Sequence, residues 1–279
     1  MNFRSRLIIL PLLVIGVLIA VAVVVDRFRQ NRNSNSAANQ VPQQPVSLSR
    51  PPARDGSFVG SEACAECHQQ IFDQFKASPM GQSMATVANA TQVENFEVSV
   101  VKPTGHRHYQ VTRDTDSMAH HEIMLDARGE PYRDQIEEIS FVVGSGQRGR
   151  SYLIDRDGLL FQSPIGWYAH GQRWDLSPGY SRENHQRFSR RIGDGCLYCH
   201  AGRVNHEGAA SDRYEEPVFA ELAIGCERCH GPGERHVKIQ TDPAVAPGPD
   251  TIVNPADLLV SKRESVCTQC HLLGRSVIA

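Results

Sequence analysis

The run Gly225-Cys226-Glu227-Arg228-Cys229-His230-Gly231-Pro232-Gly233 decides the reading of this chain, because its central pentapeptide, Cys-x-x-Cys-His, occurs four times. The other copies are Cys64-Ala65-Glu66-Cys67-His68, Cys196-Leu197-Tyr198-Cys199-His200 and Cys267-Thr268-Gln269-Cys270-His271, and together the four use all eight cysteines. Two cysteines at this spacing can form thioethers to the two vinyl groups of one porphyrin, and the histidine that follows places an imidazole on the iron. The competing readings are zinc knuckles, disulfides or a thioredoxin-like redox pair. With 12 histidines in 279 residues, four successive chance histidines would arise only about a few times in a million. The pentapeptides therefore predict four covalently bound haem c groups. Cys64, Cys67, Cys196, Cys199, Cys226, Cys229, Cys267 and Cys270 would hold them, with His68, His200, His230 and His271 as proximal iron ligands.

The N-terminus reads as a membrane segment over residues 1–30. Arg4 and Arg6 precede residues 7–25, a run of 19 without a charge, and at about 1.5 Å per residue that is just enough to cross a bilayer core as a helix. Ala20-Val21-Ala22 has the form of a signal-peptidase site, so a cleavable signal is the rival. The apolar run continues through Val23, Val24 and Val25, which favours an uncleaved signal-anchor. Arg27, Arg29 and Arg32 follow the span, so the positive-inside rule does not fix the orientation. Covalent haem attachment on the outer side of an energy-transducing membrane does. The expectation is a single-pass protein of the cytoplasmic (inner) membrane, its lipid contact through residues 7–25 and its haem domain in the periplasm. Residues 31–57, rich in Asn, Gln, Ser and Pro, cannot bury enough surface to offset their ordering entropy and read as a flexible tether.

The formal charge is −2, and of 29 basic residues 25 are Arg and 4 are Lys. Arg forks suit carboxylates such as haem propionates, although a plain compositional bias explains them equally well. No basic tail is present in the sequence, so nucleic acid is not an expected partner.

Residues 58–279 suffice for one tetrahaem domain. The motifs are spaced by 132, 30 and 41 residues, and the long first interval carries a different kind of sequence. Phe96-Glu97-Val98-Ser99-Val100 and His108-Tyr109-Gln110-Val111-Thr112 alternate apolar and polar around Pro103-Thr104-Gly105, predicting a hairpin. Residues 136–143, 151–155 and 159–162 read as further strands, the last two joined by Arg156-Asp157-Gly158. The expected fold class is mixed with low secondary-structure content. It comprises a multihaem core of short helices and loops, an antiparallel β-rich insert at about 94–165, and a single N-terminal transmembrane helix.

The runs Gly60-Ser61-Glu62-Ala63-Cys64-Ala65-Glu66-Cys67-His68 and 225–236, with the four motifs, resemble the cytochrome c-552/c-554 family of multihaem c-type cytochromes. The resemblance spans residue 60 to about 273 and is weak in the β-rich insert. It implies a periplasmic electron carrier with closely stacked haems, most of them ligated by histidine on both faces. Family members often carry Ser-x-His shortly after the first motif. Here that place reads Ser78-Pro79-Met80, with Met84 close by, and methionine is also an axial ligand in c-type cytochromes. Core packing is the alternative role for both methionines.

Eight further histidines compete for at most four sixth positions, so at least four have other roles. His236 is the leading distal candidate, because Gly231-Pro232-Gly233-Glu234-Arg235-His236 matches the family's pattern, and it is expected to cap a haem other than that of His230. His206 stands in the same relation to His200 without the Gly-Pro-Gly. His120 and His121 are adjacent on an expected strand and point to opposite faces. His170 and His185 lie in the approach to the second motif, among Trp167, Tyr168, Trp174 and Tyr180. His106 and His108 read as exposed. The expected function is electron transport between periplasmic or membrane redox proteins, with no catalytic residue assigned. The alternative is an oxidoreductase with one open iron site, acting on a small nitrogen or sulfur oxyanion.

Overall fold

The computed structural model describes residues 57–271 apart from 184, 209–211, 247 and 249–251. Among these residues α1 (Ser61–Lys76) comes first, and most of the regular structure that follows as far as Glu221 is strand. A meander of β2 (Val100–Thr104), β3 (Arg107–Arg113), β4 (Met118–Leu125) and β5 (Pro131–Glu138) forms a four-stranded antiparallel sheet. Its inward positions follow the period of two that the pleat imposes: Tyr109 and Val111 on β3, and Met118, His120 and Glu122 on β4, are all buried. β5 is the mostly exposed edge.

The larger sheet takes the order β1 (Met84–Thr86), β6 (Phe141–Val143), β7 (Gly149–Arg156), β8 (Leu159–Gln162), β11 (Arg190–Arg191). β9 (Ile165–Tyr168) also pairs with β7 and with β10 (Arg173–Leu176). The turn between β7 and β8 has both Asp157 (φ 53°) and Gly158 (φ 78°) in the left-handed region, which is what a two-residue type I′ hairpin requires. A Cβ on Gly158 would also run into the Tyr214 carbonyl, so only glycine fits there.

β7 is the wall between two cores. Tyr152 and Ile154 face a core shared with Tyr109, Val111, Ile165, Trp167 and Trp174. Leu153, on the opposite face, packs into a core with Met84, Leu160, Ile192, Leu197, Tyr214 and Val218. Each fully buried large apolar side chain contributes about 1.5–3 kcal/mol. Leu197 lies inside the second pentapeptide, so the second core fastens that motif directly to the sheet.

Past the large sheet come α2 (Asp194–His200), a β12 (Arg203–His206)–β13 (Tyr214–Glu221) pair, α3 (Glu227–His230), α4 (Glu234–Thr241) and α5 (Val260–Thr268).

The fold differs from the expectation in kind. Low secondary-structure content with a β insert at 94–165 is replaced by a β-rich chain, whose strands run from Met84 to Glu221 in three sheets among the described residues. The β structure is not confined to 94–165, because β1 precedes that range and β9 to β13 run on from its end, β9 to β11 in the large sheet and β12 and β13 in a separate pair. The physical reason is that the second motif has no core of its own and uses the sheet's. Among the described residues no helix is long and apolar enough to cross a membrane. The segment expected at 7–25 lies outside the described residues, as does all of the 31–57 tether but its last residue.

Candidate haem centre

The pentapeptide spacing acquires its meaning on a helix, where residues i, i+3 and i+4 share one face. α1 carries Cys64, Cys67 and His68, and its backbone leaves helical geometry at His68 (φ −118°, ψ 37°). α2 ends on His200 and α3 on His230. In the third and fourth motifs the histidine N–H donates back to the first cysteine's carbonyl, at 3.1 Å for His230 to Cys226 and 3.0 Å for His271 to Cys267. Each turn thereby presents two sulfurs and one imidazole on the same side. Gly231 follows α3 with φ 85°, the left-handed stop that glycine allows.

The four turns meet. Cys64 and Cys226 are within side-chain hydrogen-bonding reach, and burial, aided by that neighbour, pushes the Cys64 thiol up to about 12. Burial raises Cys229 next to Cys267, and raises Cys270 next to Cys199. The first motif therefore adjoins the third, and the fourth adjoins the second. Polar contacts reinforce the junctions. Cys226 N–H donates to Ser61 Oγ at 2.9 Å, Gln269 Nε2 to the Arg228 carbonyl at 3.3 Å, and Tyr198 Oη to Gln269 Oε1 at 3.2 Å. The Arg228 guanidinium donates to the Tyr198 carbonyl and lies 4.4 Å from that ring's centroid.

Glu227, an x residue of the third motif, is buried and was not singled out from sequence. Its carboxylate accepts from Val59 N–H at 3.0 Å, Gly60 N–H at 2.8 Å and Gly233 N–H at 2.6 Å. It thus ties the start of α1 to the Gly-Pro-Gly turn. Glu221 does similar work by accepting from Ser61 N–H at 3.1 Å. A charged residue between two motif cysteines, followed by a glycine turn, was the available signal.

Three observations test whether these residues suit a haem. His230 Nδ1 lies 2.7 Å from the Val253 carbonyl, an arrangement that fixes the tautomer and frees Nε2 for a metal. The His68 and His236 rings are nearly parallel, 23° apart, with centroids separated by 6.4 Å. An imidazole nitrogen binds a first-row metal at about 2 Å, and the centroid lies about 1 Å behind it, so two imidazoles on one iron hold their centroids about 6 Å apart. Arg228 Nε is buried without a hydrogen-bond partner, a donor that a propionate carboxylate would satisfy. The residues fit the group. They do not suit a bare metal: among the described residues no three His, Cys, Asp or Glu side chains converge on one point.

Burial lowers the pKa of His200 and so favours the neutral imidazole. His200, Cys196 and Leu197 line a cavity of about 280 Å3, whose other walls include Met84, Gln162 and Arg190. His271 is exposed at the end of the described chain.

The remaining candidates are scattered. His120 is fully buried in the β core, with Nδ1 2.7 Å from Ser163 Oγ and with Tyr152 and Trp174 against its ring. Burial, then His121, brings its pKa down to about 3. His121 points the other way, 3.0 Å from Asp134 and 3.1 Å from Thr112. His185 Nε2 lies 3.4 Å from Tyr109 Oη, and His170 is exposed in the β9–β10 turn. His206 stands 3.7 Å from Asp194. Met80 is 44% exposed, whereas Met84 is 3% exposed. Trp167 and Trp174 belong to the first core, with Tyr180 packed against it. The β core also holds two buried Glu–Arg–Tyr clusters that the sequence did not reveal. Glu122 accepts from Tyr109 Oη and Arg187 Nε, both at 2.7 Å, and Glu94 accepts from Arg150 at 2.9 Å and Tyr152 Oη at 2.7 Å.

Turns that present a cysteine pair and a histidine on one face, gathered with an oriented imidazole and a near-parallel imidazole pair, are the arrangement of a c-type cytochrome. Residues 63–131 and 167–231, just under half of the chain, match the family described as cytochrome c554 and c-prime, which supports a c-type cytochrome with covalently bound haem c. The matched residues contain the first three pentapeptides and stop short of the fourth. Among solved structures, outer cell wall cytochrome OcwA aligns at 20% identity and a TM-score of 0.40, over 69% of this chain and 35% of that one. The alignment thus spans about a third of that protein's length. No curated protein matches the chain.

Proposed function

We propose that this protein is a tetrahaem electron carrier, with a haem c on each of its four pentapeptides, working on the outer side of an energy-transducing membrane between other redox proteins. The observation that supports it most is the set of hydrogen bonds that joins the motif turns, Cys226 N–H to Ser61 Oγ, Gln269 Nε2 to the Arg228 carbonyl and Tyr198 Oη to Gln269 Oε1. Groups attached at touching turns lie close enough to exchange electrons. Each haem would supply a one-electron couple, while the chain supplies attachment, orientation and electrostatics.

In this reading the cysteine pairs tether and His68, His200, His230 and His271 hold iron. The Val253 carbonyl orients His230, and His236, whose ring lies nearly parallel to that of His68, would supply a second imidazole to the iron held there. Arg228, wedged between the second, third and fourth motifs, neutralises a propionate. Glu227 keeps the first and third turns in register. The reduced protein tests the function: if the sixth positions are filled, as a carrier requires, carbon monoxide leaves the absorption spectrum unchanged. A large shift with carbon monoxide would mark an open iron and favour reduction of a small oxyanion.

A further inference from the structure

We propose that Met84 is the sixth ligand of the iron held by His200. This rests on the reading that the second pentapeptide carries a haem. The cavity of about 280 Å3 beside that motif is bounded on one side by Cys196, Leu197 and His200 from α2, so the proximal histidine and one attaching cysteine open into it. Its remaining walls come from the large sheet and the loop before β11, and no second histidine lines it. Among its lining residues Met84 alone, apart from His200 and the attaching Cys196, carries a soft donor suited to haem iron. Ser151, Gln162 and Arg190 provide the polar lining.

Met84 is also held where a ligand needs to be held. Its strand pairs Met84 with Val143, and the preceding carbonyl, of Ser83, accepts from Gly144 N–H at 2.7 Å. Ser83 Oγ accepts from Ile224 N–H at 2.9 Å, two residues before the third pentapeptide. The backbone at Met84 is therefore fixed to the sheet on one side and to the motif cluster on the other, a supporting shell of the kind that pre-organises a metal ligand. Met80, the methionine favoured by position after the first motif, is largely exposed and lines no part of this cavity. A thioether here would make the second haem the one with the raised potential relative to bis-histidine neighbours.

The test uses proton magnetic resonance of the fully reduced holoprotein, in which an iron-bound methionine methyl appears as a three-proton singlet far upfield of all other methyls. The wild type is expected to show one such signal. Met84→Leu is expected to lose it, keep its covalent haem count, and gain one haem that binds carbon monoxide. Met84→His should keep the iron low-spin and lower one midpoint potential, and Met80→Leu should leave the signal in place. Absence of the signal from the wild type, or its loss in Met80→Leu but not in Met84→Leu, overturns the assignment. The wild-type measurement holds even if a variant fails to fold. Peptide mapping that finds no haem on Cys196 and Cys199 would instead overturn the haem reading beneath it.

Discussion

Replacing Glu227 by Ala removes the one side chain that joins the first and third pentapeptides through three backbone donors. Those donors are Val59, Gly60 and Gly233, at 3.0, 2.8 and 2.6 Å from a carboxylate that is 5% exposed. A hydrogen bond to a charged group contributes about 1.5 kcal/mol or more, so losing three, one of them to the buried Gly233 N–H, costs about 4–5 kcal/mol. Glu227→Gln keeps a carbonyl acceptor but brings an amide NH2 towards further donors, and it should cost about half as much. With a urea dependence of about 2 kcal/mol per molar for a domain of this size, the Ala variant should melt about 2 M earlier. Trp167 and Trp174 are the chain's only tryptophans and both are buried, so their fluorescence, quenched by haem in the native state, reports the unfolding. The haems are covalent, so the change would appear in stability rather than in haem count. A midpoint within about 0.3 M of wild type would refute the view that Glu227 locks the motif cluster, since that corresponds to less than about 1 kcal/mol.

His120 makes the fold acid-sensitive. Its pKa falls from an ordinary 6.5 to about 3 on folding, so the unfolded chain binds the extra proton between those values. The contribution is therefore complete above about pH 6.5 and is lost as pH falls towards 3, at about 1.4 kcal/mol per pH unit. His120→Gln should flatten that part of a stability–pH profile measured by urea melts, and an unchanged slope would count against it. His236→Ala should expose the iron opposite His68, giving one new carbon-monoxide-binding haem with the haem count unchanged. An unaltered count of low-spin irons by electron paramagnetic resonance would show that His236 is not a ligand. Cys229→Ala should lower the covalent attachment of the third haem and destabilise both neighbouring turns, visible as a lower melting temperature.

The chemistry was legible in the sequence because covalent attachment demands fixed residues at fixed spacing, and helical geometry turns that spacing into one face. His236 was singled out by its position after Gly231-Pro232-Gly233, and its ring lies nearly parallel to that of a motif histidine, His68, with centroids 6.4 Å apart. The strand at 159–162 has the bounds expected of it, but its partner runs from 149 to 156 rather than 151 to 155, because Asp157 and Gly158 alone make the turn and Arg156 pairs with Leu159. The expected first strand at 96–100 instead begins at Val100, because Phe96 leaves the sheet to pack on Trp174. The strands beyond 165 escaped notice for separate reasons. β9 is buried on nearly every residue and does not alternate, and Pro217 within β13 argues against a strand unless that strand is an edge, as it is. His120 was misleading for a different reason. A histidine on an inward strand position looks like a ligand, but in this fold its position lies between Tyr152 and Trp174, where a hydroxyl from Ser163 satisfies one nitrogen. Glu227 and the Glu122 cluster depend on contacts across 65 to 168 residues, which no local pattern encodes.

The central claim is that all four pentapeptides, including the one beyond the family-matched residues, carry haem. The mass of the denatured, metal-stripped chain tests it most directly, because thioether-bound haem survives denaturation while zinc and disulfides do not add its mass. The account predicts the polypeptide mass plus four haem additions, with tandem fragmentation placing one on each of Cys64/Cys67, Cys196/Cys199, Cys226/Cys229 and Cys267/Cys270. A protein matured alongside its haem-attachment machinery that still shows three additions, with Cys267 and Cys270 free, would contradict it.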